Sequence, residues 1–327
     1  MPDGGTVARD WTTVPERGSG WIIRLMIWIT RRLGEGVARF LLYPIAAYFL
    51  AASPPQRAAA RLYLGRALGR KAGLADLYRL YFAFSATILD RVWLVPGDTG
   101  GFRIEVHGLD DLRAAIAEGK GCLLFGAHFG SFEALRTVAD GAPVPVSILM
   151  HGGHARLTSI FDALGAPERA GSVIPLGRPD SMLRVRECLE AGGLVGLLAD
   201  RFPYGERVQR TPFLGSAARF PVGPHMLAAA LGAPVLLAFG IWRGWHHYEV
   251  RFEPFFCPGT AVARDQRASV IADGVTRYAA RLEAICRQHP YNWFNFYDFW
   301  NEESDDAAPH SAPPGAAAGR RAAVRRG

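Results

Sequence analysis

Gly119-Lys120-Gly121-Cys122-Leu123-Leu124-Phe125-Gly126-Ala127-His128-Phe129-Gly130-Ser131-Phe132-Glu133 is the stretch whose reading decides the fold. It reads as a buried strand over Cys122–Phe125, a glycine-flanked turn, and a helix from about Ser131. A short apolar run between glycines suits a strand covered on both faces. His128 falls just past the carboxyl end of that strand, and Glu133 in the first turn of the helix. Ligands bind at this edge of open α/β sheets, and a helix dipole favours a carboxylate in the first turn. One imidazole and one carboxylate are therefore expected to converge at a strand-to-helix crossover. Neutral imidazole can take a proton from a hydroxyl near pH 7. A carboxylate on its other ring nitrogen would fix the tautomer and stabilise the imidazolium. If the hydroxyl belongs to a substrate, no serine or cysteine nucleophile is needed. The bland alternative is a polar histidine and a helix-start glutamate that never meet.

Working outward, strands and helices alternate from Phe102 onward. The expected strands are Arg103–Val106, Cys122–Phe125, Val144–Met150, Val173–Leu176, Leu194–Leu198, Val235–Ile241 and Tyr248–Phe252. The expected helices are Asp110–Glu118, Phe132–Ala139, Ala155–Leu164, Ser181–Glu190, Gly223–Leu231 and a long one near Arg264–Gln288. This alternation predicts an α/β fold with a mainly parallel mixed sheet flanked by helices. Before it lies a helical prelude. Ser53-Pro54 reads as a side-chain cap followed by proline in the first turn, opening a helix through Arg57–Arg70 that halts near Gly73. A second helix, Leu74 to Trp93, carries Leu77, Leu80, Tyr81, Phe84 and Ile88 at helical spacing. The resulting division is a disordered N-terminus (1–20), a helical membrane-associated prelude (21–98), an α/β domain (99–301) and a disordered tail (302–327).

Half of the 327 residues are apolar, enough for a sizeable core, and the net charge of +7 is unevenly placed. Residues 1–80 hold 12 Lys/Arg and 5 Asp/Glu, residues 81–301 hold 21 of each, and residues 302–327 hold 4 of each. The whole excess thus lies beside the most apolar runs, Trp21–Thr30 and Val37–Ala52. Basic charge beside apolar surface points to an anionic membrane face rather than to nucleic acid. Neither run reaches the roughly 20 residues of a bilayer span, and Arg31, Arg32, Glu35 and Arg39 interrupt them. An interfacial anchor and one tilted span both remain open, with a buried N-terminal pair of core helices as the alternative to membrane attachment. Cys122, Cys188, Cys257 and Cys286 form no C-x-x-C pair and read as reduced thiols of a cytosolic compartment. No G-x-S-x-G elbow occurs, and Gly119-Lys-Gly121 lacks the spacing of a P-loop. His151 with His154, and His246 with His247, lack an acidic cluster and read as surface or loop histidines, so no metal and no cofactor is expected.

Several stretches, in order, resemble the lysophospholipid acyltransferase superfamily and, within it, the lipid A late (lauroyl and myristoyl) acyltransferases. The likeness covers residues 20–300. Its most specific piece is the H-x4-[DE] element, His128 to Glu133. A second is Gly193-Leu-Val-Gly-Leu-Leu-Ala-Asp-Arg201, similar to a family strand that ends in an Asp. A third is Thr211-Pro-Phe-Leu-Gly-Ser-Ala-Ala-Arg-Phe-Pro221, and Leu227-Ala-Ala-Ala-Leu-Gly-Ala-Pro-Val continues the match. The resemblance implies a glycerol-3-phosphate acyltransferase-like fold and transfer of a fatty acyl chain from a thioester to a lipid or glycolipid hydroxyl. The donor would be acyl carrier protein or acyl-CoA, and the place the cytoplasmic face of a bacterial inner membrane.

In that reading His128 deprotonates the acceptor hydroxyl and Glu133 orients and charge-stabilises His128. The oxyanion is met by backbone amides of the Phe129–Ser131 turn, which brings in Gly130 and Ser131, or by Arg156. Asp200 and Arg201, past a strand end, shape the acceptor or carrier site, or else form a turn ion pair. Phe213, Gly215 and Pro221 form pocket wall. The chain departs from lipid A members at Arg201-Phe-Pro-Tyr-Gly, where further acids are usual. It also departs at the unusually aromatic His289-Pro-Tyr-Asn-Trp-Phe-Asn-Phe-Tyr-Asp-Phe-Trp300. Two alternatives follow: an acyltransferase for another envelope lipid, or a non-catalytic lipid or acyl-carrier binding protein on the same fold.

Overall fold

A computed structural model describes residues 27–30, 32–141, 143–151, 161–167, 172–202, 205–257 and 261–301. Among the described residues, 27–30 are helical, and three longer helices follow: α1 (Glu35–Ala52), α2 (Pro54–Leu68) and α3 (Leu74–Leu94). The α/β part then runs β1 (Arg103–His107), α4 (Leu109–Ala117), β2 (Cys122–Gly126), α5 (Phe132–Asp140), β3 (Val146–His151) and β4 (Val173–Leu176). It continues with α6 (Ser181–Glu190), β5 (Leu194–Leu198), β6 (Val208–Phe213), β7 (Ser216–Pro221), α7 (Gly223–Leu231), β8 (Val235–Gly244), β9 (His247–Phe256) and α8 (Arg267–Gln288). Seven strands form one sheet in the order β1-β9-β8-β2-β5-β3-β4. β8, β2, β5, β3 and β4 are mutually parallel, β9 runs antiparallel to β8, and β1 is parallel to β9. The expected α/β architecture with a mostly parallel mixed sheet is therefore present.

Burial explains this order. β2 and most of β5 are buried throughout, as apolar runs without alternation require when helices cover both faces. β1, at the edge, sets Arg103, Glu105 and His107 on one face, and charges along an edge strand discourage pairing with another chain. The largest core cluster joins Tyr63, Phe125, Phe213, Phe220, Tyr278 and Trp293 and so packs α2 and α8 against the sheet. A second cluster, with Leu124, Leu135, Tyr248 and Phe252, lies under α4 and α5.

Differences from expectation are local. Pro54 opens α2, but the Ser53 side chain makes no cap hydrogen bond. α2 ends at Leu68 because Gly69 takes a left-handed conformation, one turn before the expected stop at Gly73. The β6–β7 hairpin was not expected as strands at all, since Pro212 and Pro221 mask its pattern. Leu214 and Gly215 both have positive φ and join the two strands in a two-residue turn. Gly215 is thus a turn residue, while Phe213 and Pro221 are buried. Of the expected helix Ala155–Leu164, residues 161–164 are described and helical.

His225, on α7, lies 6% exposed among the rings of Phe125, Phe255 and Tyr278. Burial, followed by the charge of Arg277, pushes its pKa down to about 4. The unfolded chain, with an ordinary value near 6.5, therefore binds the extra proton between these limits, and stability falls as pH falls through that window. By pH 5 the expected loss is about 2 kcal/mol. Thermal midpoints at pH 7.5 and 5.0 should show that His225→Gln removes this part of the acid sensitivity.

Candidate active site

β2 and β5 are adjacent and in register, with Gly126 opposite Leu198. Two residues beyond each strand stand His128 and Asp200. Equal offsets from paired strand ends bring them abreast, and His128 Nδ1 lies 2.9 Å from Asp200 Oδ1. The other carboxylate oxygen accepts the His128 backbone N–H and the Trp293 indole N–H, each at 3.0 Å. Asp200 is fully buried, whereas the His128 side chain is 31% exposed. Burial alone would raise the Asp200 pKa. The charge and hydrogen bond of His128, then Arg201 and Trp293, overturn that and hold the carboxyl well below the usual range. An ionised Asp200 accepts from Nδ1–H, which leaves the lone pair of the imidazole on Nε2.

Glu133 therefore does not fill the place expected for it. It begins α5, is buried, and its ion pair is with Arg91 of α3 at 3.8 Å. The carboxylate against the imidazole is Asp200, a residue first read as shaping the substrate site. A rigid neighbouring strand delivers it, whereas Glu133 points from the helix toward α3.

The turn between them is held by the segment after α8. Phe294 N–H donates to His128 O at 2.8 Å, and Gly130 N–H to Asn292 O at 2.7 Å. Asn292 also clasps the backbone of Trp242 at the end of β8. Gly130, at φ 59°, sits against Gly240, where an added Cβ would lie 1.9 Å from the Gly240 carbonyl oxygen. Only glycine fits so close an approach in a left-handed conformation.

The expected oxyanion donors are engaged within the protein. The amides of Phe129, Gly130 and Ser131 donate to the carbonyls of Ala127, Asn292 and Gly240. The Ser131 hydroxyl is buried and caps α5 by accepting from Ala134 N–H. Gly130 and Ser131 thus build the turn. Arg156 and His154 lie outside the described residues. Arg201 donates to Phe294 O at 2.6 Å and lies over the Tyr297 ring. Phe213 packs edge-on to Trp293 and so stands behind the group that holds Asp200.

Trp293, Asn292 and Phe294 were missed as site residues because that aromatic segment carries no periodicity that assigns it to a strand. His246 and His247, also weighed as metal ligands, are paired with Glu35 and Glu105.

A family model for bacterial lipid A biosynthesis acyltransferases matches residues 10–302. The chain belongs to that family. No curated protein matches it. Membership makes the protein an acyltransferase acting in lipid A biosynthesis and bears out the resemblance drawn from the motifs around His128, Asp200 and Phe213. In a lipid A acyltransferase, an imidazole held through Nδ1 by a buried carboxylate at a strand edge can serve as a general base toward a hydroxyl.

Proposed function

We propose that the protein is a membrane-surface O-acyltransferase that moves a fatty acyl chain from a thioester to a hydroxyl of a lipid A-type glycolipid. The observation that carries this reading is the 2.9 Å contact between His128 Nδ1 and buried Asp200, in a chain of this family. Nε2 of His128 takes the proton of the acceptor hydroxyl, and that oxygen attacks the thioester carbonyl. The tetrahedral intermediate collapses with cleavage of the C–S bond, and the imidazolium returns its proton to the leaving thiolate. The products are an ester and a free thiol. Asp200 fixes the tautomer and stabilises the imidazolium. Glu133 acts through its ion pair with Arg91, and Arg201, next to Asp200 in the chain, helps to shape the acceptor or carrier site. The donor is acyl carrier protein or acyl-CoA.

The reading places the enzyme on the cytoplasmic face of the inner membrane, with α1 lying in the interface. α1 is the one described helix long and apolar enough to cross a membrane. It turns Ala38, Leu42 and Ala46 to the protein and leaves Val37, Phe40, Tyr43 and Tyr48 exposed. A helix covered by protein on one side and apolar on the other suits a surface rather than a span. Residues 36–75 hold Arg39, Arg57, Arg61, Arg66, Arg70 and Lys71 and no acid, which complements anionic headgroups.

The test incubates the purified chain with vesicles of extracted envelope lipid and a radiolabelled long-chain acyl donor, as acyl carrier protein in one arm and CoA in the other. The expected result is label in a lipid released by mild base, as an ester is. Absence of transfer from both donors, with thioester binding retained, would instead support a binding protein.

A further inference from the structure

Apart from Asp200, one acid of the described chain is completely buried: Asp90 on α3, with 0% of its side chain exposed. Tyr248 Oη donates to Asp90 Oδ2 at 2.7 Å, and Arg39 Nη2 lies 3.4 Å from Oδ1. Arg39 comes from α1, with its guanidinium 4.4 Å from the Trp245 ring centre and 5.7 Å from that of Trp93. Glu35 pairs with both Arg39 and His246. Tyr248, on β9, shares a core cluster with Ala134 and Leu135 of α5, the helix that Ser131 caps. A polar chain Arg39–Asp90–Tyr248 thus runs from the helix with the exposed aromatic face to a residue in the core cluster under the start of α5.

Packing alone gives no reason for a carboxylate here. Ala38 and Leu42 of α1 already pack on Ala86 and Leu89 of α3, and a buried charge is weak evidence for stability. Burial raises the Asp90 pKa to about 6, against the lowering effects of Tyr248, Arg39 and His246, with Glu35 adding to the rise. The unfolded carboxyl, near 3.8, loses its proton first as pH rises, so ionising Asp90 in the fold lowers stability up to about pH 6. At neutral pH the fold retains a charge that works against it.

We propose that Asp90 is a positioning residue for acyl transfer: it holds the start of α5 in register with α1, so that His128 is set relative to the lipid-facing helix. This rests on the acyl-transfer reading. The test places Asp90→Asn, in the full chain, beside the native protein in the vesicle assay. The expected result is a fall in kcat of at least tenfold, an unchanged KM for the acyl donor, and a thermal midpoint at pH 7.5 that is equal or higher. Tyr248→Phe, which removes the hydrogen bond to Asp90 and keeps the ring in its core cluster, should lower kcat in the same way. Native kcat in Asp90→Asn would overturn the proposal. So would a fall in kcat matched by a lower midpoint, which would leave Asp90 a stability element alone. Absence of transfer by the native control would overturn the acyl-transfer reading itself and this proposal with it.

Discussion

His128→Gln is expected to lower kcat for acyl transfer by about 10²–10⁴-fold, the range of general acid–base catalysis. The side chain is 31% exposed, so the variant should melt close to the native protein. What is lost is the lone pair on Nε2 together with the Nδ1 contact to Asp200, while the other two donors to that carboxylate stay in place. The backbone N–H of residue 128 still donates to that carboxylate, as does the Trp293 indole. Single-turnover transfer with donor bound in advance separates chemistry from binding. A variant that transfers at the native rate would remove His128 from the mechanism.

Asp200→Asn is the second large effect, and it distinguishes the observed carboxylate from the one the H-x4-E spacing suggested. The amide keeps the shape of the side chain but cannot stabilise an imidazolium, and its NH₂ would face either Nδ1 or the two N–H groups now bound to Oδ2. A loss of about 10² or more in kcat is expected, comparable to that of wrong-tautomer variants in related arrangements. Glu133→Gln should behave differently. Its carboxylate meets Arg91 rather than the ring, so its loss should raise KM more than it lowers kcat. Equal kcat losses would mean that both acids act on His128. Asp200→Ala is the poorer probe, because it strands three donors in a buried site, a change that costs about 1–3 kcal/mol for each unsatisfied group.

The strands carrying the site were legible because both faces of β2 and β5 are covered, which turns each into an unbroken apolar run between glycines. Leu194–Leu198 and Ser181–Glu190 occur at their expected bounds. The hairpin over Val208–Phe213 and Ser216–Pro221 was not legible, since its prolines and its aromatic cluster depend on α8 and on Trp293 for their burial.

Local chemistry determined the α/β alternation, the place of His128 at a strand end and the family motifs, because apolar runs, glycines and helix starts act over a few residues. The partner of His128 depends on which strand lies beside β2, and that is a non-local matter. The chain visits β3 and β4 before returning to insert β5 next to β2. Asp200 and Glu133 are equally good carboxylates in the sequence, one 72 residues away and the other five. Strand register, fixed by packing on both sheet faces, selects the distant one.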